Sequence, residues 1–392
     1  MSITAIHSPS APSSLAVAID RLGSPEQAND CWGDADEMTL VCRAVREITH
    51  DVKTFLFEAP AGRVFHYEPG QFVTLNLVID GESISRCYTI SSPPTRPHLL
   101  AITVKRVLDG KVSNWLHENV NAGDSVSALP PLGAFTLTQA PTAPKYIFLS
   151  AGSGITPVIS MTRTLFDLGS DADVLFVHSA RTPADIIFRR ELDAMAAVMP
   201  NLRVVHVCEN DYPSERWMGL RGRLSAGVLE SIAPDLQERV AFTCGPAAYM
   251  SAVRRILGEV GFDMARYHEE SFSFDTLPAP ERAAVQSLSE DIPVSAAVDD
   301  HVMPSTKYTV AFTESGRTIE CGEDETVLDA ALAAGMRLPS SCAQGMCGTC
   351  KTTLLSGEVD MQHNGGIRPK EIARGKILIC CSRPLGDLSI EI

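Results

Sequence analysis

The fold of the last part of this 392-residue chain follows from the stretch Cys342-Ala343-Gln344-Gly345-Met346-Cys347-Gly348-Thr349-Cys350 and from the later Cys380. Four residues separate the first two cysteines, two separate the next pair, and 29 more precede Cys380. A loop that supplies three thiolates to one metal group must wrap around it closely. Gly345 and Gly348 permit the positive φ angles and the close backbone approach that such a wrap requires.

The cysteine spacing favours an iron–sulfur cluster over a zinc site. It resembles the C-x4-C-x2-C…C spacing by which plant-type ferredoxins bind a [2Fe-2S] cluster through four thiolates. Zinc sites usually combine one short cysteine pair with a second short pair, and Cys380-Cys381 is not such a pair. Cys380 is favoured over Cys381 because ferredoxin-like chains of this kind read C-x-S after an apolar strand. The expected metal ligands are Cys342, Cys347, Cys350 and Cys380.

Length and composition predict a multidomain cytoplasmic protein. A chain of 392 residues is expected to form two or three domains, each with its own core. No apolar run approaches the roughly 18 residues of a membrane helix, and Met1–Ala16 lacks the basic and apolar regions of a secretory signal. The eleven cysteines do not form a disulfide-rich pattern. We therefore expect no membrane partner.

The negative charge is concentrated in two segments without hydrophobic periodicity. Residues 1–38 carry a net charge of −5 and residues 276–305 a net charge of −4, out of −15 for the chain. The composition of residues 1–37 predicts a mobile extension, although Cys31 and Trp32 could pack on the body. Residues 276–305 predict a linker. Because phosphate binding needs a basic surface, the charge argues against a nucleic acid partner.

Residues 38–140 show short strands separated by turns. Stretches such as Leu99–Arg106 are rich in residues that favour strands, and Asp80-Gly81 is a hairpin signal. The regular spacing predicts an antiparallel β-barrel with one helix, Val112–Asn119.

Two motifs in this barrel suit a phosphorylated, planar ligand. In Arg86-Cys87-Tyr88-Thr89-Ile90-Ser91, the guanidinium and the phenol point to one face of a strand, where they could hold a phosphate and pack on a ring. Gly110-Lys111-Val112-Ser113 opens the helix, and free amides at a helix start favour a phosphate. Each motif alone is weak, because the first is often plain surface sequence and the second is often only a turn.

Residues 141–275 alternate strands and helices, which predicts a parallel sheet. The apolar strand Tyr146–Ala151 leads into Gly152-Ser153-Gly154-Ile155-Thr156-Pro157, a turn that can cradle a pyrophosphate at a helix start. It is not the full G-x-G-x-x-G fingerprint, so this match alone is weak. Cys244-Gly245-Pro246 precedes the last helix, and by itself Cys244 is equally well a buried thiol.

The sequence also predicts a helix within residues 141–275 and a separate domain over residues 306–392. A single helix is expected over Ala184–Val198, with Asp185 and Arg189 at the spacing of an i,i+4 pair. Residues 306–392 show strands and a helix from Thr326, and with the cysteine motif they resemble the α+β β-grasp domain of plant-type ferredoxins.

Together these motifs resemble the ferredoxin–NADP reductase superfamily. By this resemblance Arg86 contacts the flavin phosphate, Tyr88 packs on the isoalloxazine, and Thr89 lies near the flavin N5 atom that accepts hydride. Cys244 lies beside the nicotinamide, so Thr89 and Cys244 are the expected catalytic residues. The implied cofactor contacts are Arg86, Tyr88, Thr89, Ile90, Ser91, Lys105, Gly110, Lys111, Val112, Ser113, Gly152, Gly154, Thr156, Pro157, Arg181, Gly245 and Pro246.

The order of flavin, pyridine-nucleotide and ferredoxin domains resembles the reductase components of Rieske-type oxygenases, of the phthalate dioxygenase and glycine betaine or carnitine monooxygenase kind. The stretches Cys342–Cys350, Arg86–Ser92 and Arg181–Arg189 most resemble the quaternary-amine group. The resemblance implies an oxidoreductase that passes electrons from NADH through FAD and [2Fe-2S] to an oxygenase. A flavin belongs in the middle because nicotinamide gives two electrons as hydride and the cluster takes one at a time.

Several alternatives stay open from the sequence. FMN could replace FAD, although the helix start at Gly110–Ser113 suits a pyrophosphate. NADPH could replace NADH, because Arg181 ends the second strand of the sheet, where it could hold a 2′-phosphate. The acceptor could be a hybrid-cluster protein, or the chain could be a redox sensor. The ten histidines lack the H-x3-H and H-E-x-x-H spacings, so a self-contained oxygenase is not expected.

Overall fold

The computed structural model describes residues 31–32, 37–59, 62–140, 143–271, 306–336, 338, 345, 348, 350–363, 366–367 and 369–392. The chain forms two compact units, Met1–Phe272 and Ser273–Ile392. The predicted linker at 276–305 and most of the predicted extension at 1–37 lie outside the described residues.

The first unit begins with an antiparallel barrel. Its strands are β1 Met38–Thr49, β2 Val52–Glu58, β3 Phe72–Ile79, β4 Glu82–Thr89, β5 Leu99–Lys105 and β6 Ser125–Leu132, and its helix is α1, Lys111–Asn119. The strand order is β4-β3-β6-β1-β2-β5. Just beyond β4, Ile90 pairs with Ile102 of β5, which joins the two outer strands and closes the barrel.

Local sequence explains one turn of the barrel and one strand that was not predicted. Asp80 and Gly81 have φ angles of 55° and 79°, as a type I′ turn between β3 and β4 requires. β6 has no counterpart among the predicted strands, because Pro130 and Pro131 weaken its strand signal.

The pair Cys31-Trp32 is part of the barrel core. These residues are 0% and 2% exposed. The Trp32 Nε1 atom donates a hydrogen bond to the Ala128 carbonyl at 3.2 Å, and its ring centre lies 5.6 Å from that of Phe65. This short segment therefore packs on the body, as the sequence allowed.

The first unit continues with a parallel sheet that is covered on both faces. The strands are β7 Lys145–Ala151, β8 Asp173–Ala180, β9 Leu202–Cys208, β10 Leu220–Arg221, β11 Val240–Gly245 and β12 Tyr267–Ser271, in the order β10-β9-β8-β7-β11-β12. The helices are α2 Ile155–Asp167, α3 Arg189–Val198, α4 Ala226–Ile232 and α5 Ala247–Glu259. One face packs on α2 and α3, the other on α4 and α5.

The predicted helix over Ala184–Val198 is wrong in its first part. A left-handed residue, Phe188 with φ 58°, precedes α3, so the regular helix begins only at Arg189. Asp185 instead accepts hydrogen bonds from the amide and the hydroxyl of Thr182. Arg189 pairs with Glu215 at 2.8 Å. The i,i+4 pair therefore does not form, because local capping at Thr182 competes with helix continuation.

A buried arginine connects the amino-terminal ends of the sheet strands. Arg239 is 1% exposed and donates to both carboxylate oxygens of Asp173 at 3.0 Å and to those of Asp235 at 2.9 and 3.0 Å. It also donates to the Tyr146 carbonyl at 2.9 Å. Its removal would leave Asp173 without this cation and Asp235 with Lys145 at 2.8 Å.

Replacing Arg239 with methionine is therefore expected to destabilise the first unit by about 2–3 kcal/mol, because two partly exposed carboxylates and the Tyr146 carbonyl lose their charge-assisted hydrogen bonds. Denaturant unfolding would measure the loss. Lys145→Met is the matched control, because Lys145 binds the same Asp235 at 2.8 Å with a side chain that is 29% exposed. A more exposed pair contributes only about 0–1 kcal/mol. Equal effects of the two variants would contradict this account.

The second unit is a mixed sheet crossed by a helix. Its strands are β13 Lys307–Phe312, β14 Arg317–Gly322, β15 Lys351–Ser356, β16 Val359–Met361, β17 Lys376–Leu378, β18 Ser382–Pro384 and β19 Leu388–Glu391, and its helices are α6 Val327–Ala333 and α7 Pro369–Ile372. The five-stranded sheet has the order β14-β13-β19-β15-β17, and only β13 and β19 are parallel. This matches the expected α+β domain.

Candidate functional site

The barrel motif lies at the end of β4, where one hydroxyl has no partner. Thr89 is 5% exposed, and its Oγ1 atom makes no hydrogen bond to any residue that the structure describes. The neighbouring Tyr88 is half-buried, and burial raises its pKa. A buried hydroxyl normally forms a hydrogen bond, so this position fits a bound group that supplies the missing partner.

Ile90 and Ser91 have internal roles in this structure. Ile90 is fully buried, and its amide donates to the Gln71 carbonyl at 2.8 Å. The Ser91 hydroxyl lies 2.8 Å from that of Thr103 and 3.2 Å from the Ala101 carbonyl. Their side chains therefore hold the strand end in place.

The three predicted cationic contacts of the barrel differ in their partners. Lys105 lies 3.2 Å from Asp51, and Lys111 lies 2.7 Å from Glu82. Within the described part of the chain, Arg86 forms no ion pair, and its guanidinium donates only to the backbone carbonyl of the preceding residue at 3.2 Å. With respect to the described residues, Arg86 is therefore the cation of this set without a carboxylate partner, which suits an anionic ligand.

The start of α1 also fits an anion. Gly110 is the N-cap residue, and no side chain caps the helix there. A Cβ atom at Gly110 would lie 2.6 Å from the hydroxyl of Ser113, so a larger residue does not fit. Val112 is buried in the barrel core, so its amide rather than its side chain faces outward from the helix start. Uncapped amides at this end suit a phosphate group.

The two nucleotide motifs meet in space. Gly152 has a φ of 53°, and α2 follows Gly154 without a side-chain cap. A Cβ atom at Gly154 would lie 2.3 Å from the Cys244 carbonyl oxygen and 2.5 Å from the Gly245 nitrogen. Only glycine permits this close approach, which brings the turn after β7 against the end of β11. Sequence spacing did not show this contact.

Other residues of the cradle are occupied locally. The hydroxyl of Thr156 donates to the Ser153 carbonyl at 3.0 Å, and Pro157 lies in the buried first turn of α2. Gly245 lies against the ring of Tyr249, since a Cβ atom there would be 2.7 Å from it. Pro246 is the N-cap residue of α5. The cradle is thus built from backbone, as close approach to a pyrophosphate requires.

Cys244 is a neutral thiol in this site. It is 0% exposed, and burial raises its pKa well above the usual range, with a further contribution from nearby Glu270. A thiol in this state is not an effective nucleophile, because the thiolate is the reactive form. Cys244 therefore contributes an uncharged, closely packed surface next to Gly154.

Glu270 lies beside one of the two nucleotide motifs, and the sequence did not single it out. It pairs in register with Cys244 across β12 and β11, and it is 6% exposed. Burial raises its pKa to about 8, and among the described residues its Oε2 atom has no hydrogen-bond partner. The sequence feature that could have identified Glu270 is an acidic residue inside a strand that pairs with the strand leading into Cys244-Gly245-Pro246.

Arg181 lies exposed at the end of β8, on the same sheet edge as the cradle. Its carbonyl accepts a hydrogen bond from the Asn210 amide at 2.8 Å, which places the residues after β9 beside it. The first of these is Glu209, whose carboxylate lies 3.4 Å from Arg223. Both a cation and a carboxylate therefore lie at this edge.

The described part of the cysteine motif includes two of its predicted ligands and both of its glycines. Cys350 and Cys380 are 3% and 5% exposed. Gly345 and Gly348 have φ angles of 69° and 72°, as expected for a tightly wrapped loop, and the Gly345 amide donates to the Cys380 sulfur at 3.3 Å. The Cys381 thiol donates to the Leu378 carbonyl at 3.6 Å, and its sulfur also lies close to Gly345, because a Cβ atom there would be 2.7 Å from it. The other two predicted ligands, Cys342 and Cys347, lie outside the described residues.

No helix among the described residues combines the length and the apolar content that a membrane span requires.

Three protein-family models match the chain in the expected order. They are the oxidoreductase FAD-binding domain at residues 39–137, the oxidoreductase NAD-binding domain at 148–255, and the 2Fe-2S iron-sulfur cluster binding domain at 310–385. Together with the observed sheets, these matches confirm the predicted fold class and the predicted cofactors, FAD, NADH and [2Fe-2S].

Similarity to individual proteins extends over nearly the whole chain. The glycine betaine monooxygenase reductase subunit of Pseudomonas aeruginosa is 45% identical over 92% of this chain and 96% of its own. The stachydrine N-demethylase reductase subunit of Rhizobium meliloti is 41% identical over 92% and 97%. The solved structure of phthalate dioxygenase reductase is 25% identical, with a TM-score of 0.54 over 93% of this chain and 100% of its own. This chain belongs to the family of NADH-dependent flavin and iron–sulfur reductase components of oxygenases.

Proposed function

We propose that this chain supplies electrons from NADH to a Rieske-type oxygenase that acts on a quaternary amine, such as glycine betaine or carnitine, in the cytoplasm. The observation that carries this proposal is the 45% identity, over all three domains, to a relative named for glycine betaine monooxygenase. The relative named as an N-demethylase reductase subunit supports an acceptor that works on methylated nitrogen.

The barrel would hold the flavin through a few groups. Arg86 and the uncapped start of α1 would bind its phosphates, since both are without a competing carboxylate or cap in the described structure. Thr89 would form a hydrogen bond to the ring through its unsatisfied hydroxyl. When bound, the flavin supplies the ability to take up hydride and release single electrons.

The parallel sheet would hold the nucleotide. Gly152 and Gly154 would let the backbone approach the pyrophosphate, and the start of α2 would contribute its amides. Cys244 and Glu270, both neutral at pH 7 by the direction of their pKa shifts, would pack near the nicotinamide and exclude water and charge. Arg181 would contact the ribose end of the nucleotide.

The second unit would carry the electron exit. Cys350 and Cys380, with Cys342 and Cys347, would bind the cluster, and the amide of Gly345 would donate to one of its thiolates. Hydrogen bonds to cluster sulfurs are one means by which proteins set the reduction potential.

Reconstitution tests the proposed acceptor. The purified protein, NADH and a glycine betaine or carnitine oxygenase component should show NADH oxidation that depends on the amine and yields an oxidised product of that amine. Turnover with a hybrid-cluster protein and none with either oxygenase would favour the alternative acceptor. A protein that NADH cannot reduce at all would favour a redox sensor.

Glu209 is expected to favour NADH over NADPH. A carboxylate at the strand edge can accept hydrogen bonds from ribose hydroxyls, and it repels a 2′-phosphate. Glu209→Ala should raise kcat/KM for NADPH relative to NADH by about 5–10-fold, because it also frees Arg223 from its carboxylate partner. Steady-state cytochrome c reduction with both nucleotides measures the ratio.

The matched control is Glu238→Ala, which removes the same charge near the other end of the strands, where Glu238 pairs with Lys145. This control should leave the nucleotide ratio unchanged. An unchanged ratio in Glu209→Ala would remove Glu209 from the specificity site.

A further inference from the structure

One face of α2 connects the two cofactor lobes of the first unit. It carries the polar residues Thr156, Ser160, Arg163 and Asp167, spaced i, i+4, i+7 and i+11, which lie on one side of a helix. The helix begins at the nucleotide cradle. The last three of these residues contact the segment Ser91–Arg96, which closely follows the flavin-binding strand β4.

Arg163 makes the buried contact in this connection. It is 8% exposed, and its Nη1 atom donates to the Ser91 carbonyl at 2.5 Å. Its Nε and Nη2 atoms donate to the two carboxylate oxygens of Glu191 on α3 at 2.7 and 2.6 Å. Such bidentate, charge-assisted pairs fix geometry as well as contribute energy.

The same guanidinium holds the start of α3. It lies 4.5 Å from the ring centre of Phe188, the residue whose left-handed backbone ends the segment between β8 and the helix. A strained residue of this kind persists only where its surroundings hold it. Arg181, at the ribose end of the nucleotide site, belongs to the same segment. Arg163 therefore connects α2, this segment and the end of the flavin strand.

A second, more exposed ion pair joins the same segment to α2. Arg96 donates to both carboxylate oxygens of Asp167 at 2.7 and 2.9 Å, but its side chain is 55% exposed. Exposed pairs contribute about 0–1 kcal/mol and are screened by salt. Arg96 therefore offers a control, because it is also an arginine that forms a bidentate carboxylate pair between the segment and α2.

We propose that Arg163 is a positioning residue for hydride transfer. It sets the distance between the nicotinamide, held near Cys244 by a nucleotide whose pyrophosphate lies at the start of α2, and the flavin ring, held beside Thr89. The inference rests on the proposed path of hydride from NADH to the flavin. Reacting atoms must lie about 3–3.5 Å apart, and a displacement of about 1 Å can cost about 100-fold in rate.

The test compares Arg163→Met, Arg163→Lys and Arg96→Met with the wild-type, flavin-loaded protein. Anaerobic stopped-flow measurements with NADH, and with NADH deuterated at the transferred position, give the limiting rate of flavin reduction, its isotope effect and the NADH dissociation constant. Arg163→Met should lower the limiting rate about 10–100-fold and change the dissociation constant by less than about 2-fold. Arg163→Lys should lie between, because lysine cannot reproduce the bidentate contact. Arg96→Met should match wild type within about 2-fold.

Two readouts besides activity separate positioning from loss of structure. The long-wavelength charge-transfer absorbance between nicotinamide and flavin should weaken in Arg163→Met and persist in Arg96→Met. In flavin-free protein, hydrogen exchange should accelerate at residues 91–96 and 186–191 only in the Arg163 variants. If Arg163→Met does not fold, Arg163→Lys is compared with Arg96→Met and wild type in its place.

The proposal is overturned if the Arg163 variants reduce flavin at the wild-type rate, or if their loss disappears at saturating NADH. It is also overturned if Arg96→Met loses as much rate. Failure of NADH to reduce the wild-type flavin would instead overturn the proposed function, and this inference with it.

Discussion

Replacing Cys347 with serine is expected to abolish NADH-dependent reduction of cytochrome c and to leave reduction of the flavin by NADH intact. The [2Fe-2S] cluster requires four thiolates, so removal of one ligand should prevent its assembly or its electron transfer. The flavin and nucleotide sites lie in the other compact unit, Met1–Phe272. Anaerobic bleaching of the flavin, cytochrome c reduction and iron content measure the three consequences separately.

Cys381→Ser is the matched control for this experiment. Both sulfurs lie near Gly345, but the Gly345 amide donates to the sulfur of Cys380, whereas the thiol of Cys381 donates to the Leu378 carbonyl. We therefore expect Cys380→Ser to lose the cluster and Cys381→Ser to keep both iron and cytochrome c reduction. If Cys347→Ser also lost flavin reduction, the order of electron transfer would be wrong. If Cys381→Ser lost the cluster, the fourth ligand would be Cys381.

The features that the sequence predicted well are those that depend on the backbone conformation of one or two neighbouring residues. Asp80-Gly81 requires positive φ angles, and the structure places a type I′ turn there. Gly345 and Gly348 were expected to allow a tight wrap, and both have positive φ. Glycine spacing also marked the turn at Gly152, because few other residues tolerate that conformation.

The features that the sequence did not predict depend on contacts between distant segments. The helix expected from Ala184 begins five residues late, because Phe188 adopts a left-handed conformation beneath the guanidinium of Arg163. Nothing in helical periodicity reveals a partner supplied by another helix. In the same way, the contact of Gly154 with Cys244 joins motifs about ninety residues apart, and only the parallel sheet places them side by side.

Glu270 should give the first unit a pH dependence opposite to that of a salt-bridged carboxylate. Because burial raises its pKa from an ordinary value near 4.5 to about 8, Glu270 is protonated in the folded protein at pH 7 and ionised in the unfolded chain. The folded state then binds more protons than the unfolded state. Its contribution to stability is fully present below about pH 4.5 and declines by about 1.4 kcal/mol per pH unit until about pH 8.

Glu270→Gln is expected to remove this slope, because glutamine keeps the size and the neutral state of the protonated side chain. The variant should match wild type near pH 5 and become more stable than wild type by about 3–5 kcal/mol near pH 8.5. Thermal unfolding of the flavin-loaded protein between pH 5 and 9 measures the difference.

Glu269→Gln is the control, since the Glu269 carboxylate pairs with Arg254 and adjacent strand residues point to opposite faces. A Glu270→Gln difference that stays constant with pH would show that Glu270 does not bind the proton on folding. Loss of the slope in Glu270→Gln but not in Glu269→Gln would place a neutral carboxyl beside Cys244, where an uncharged nicotinamide contact is proposed.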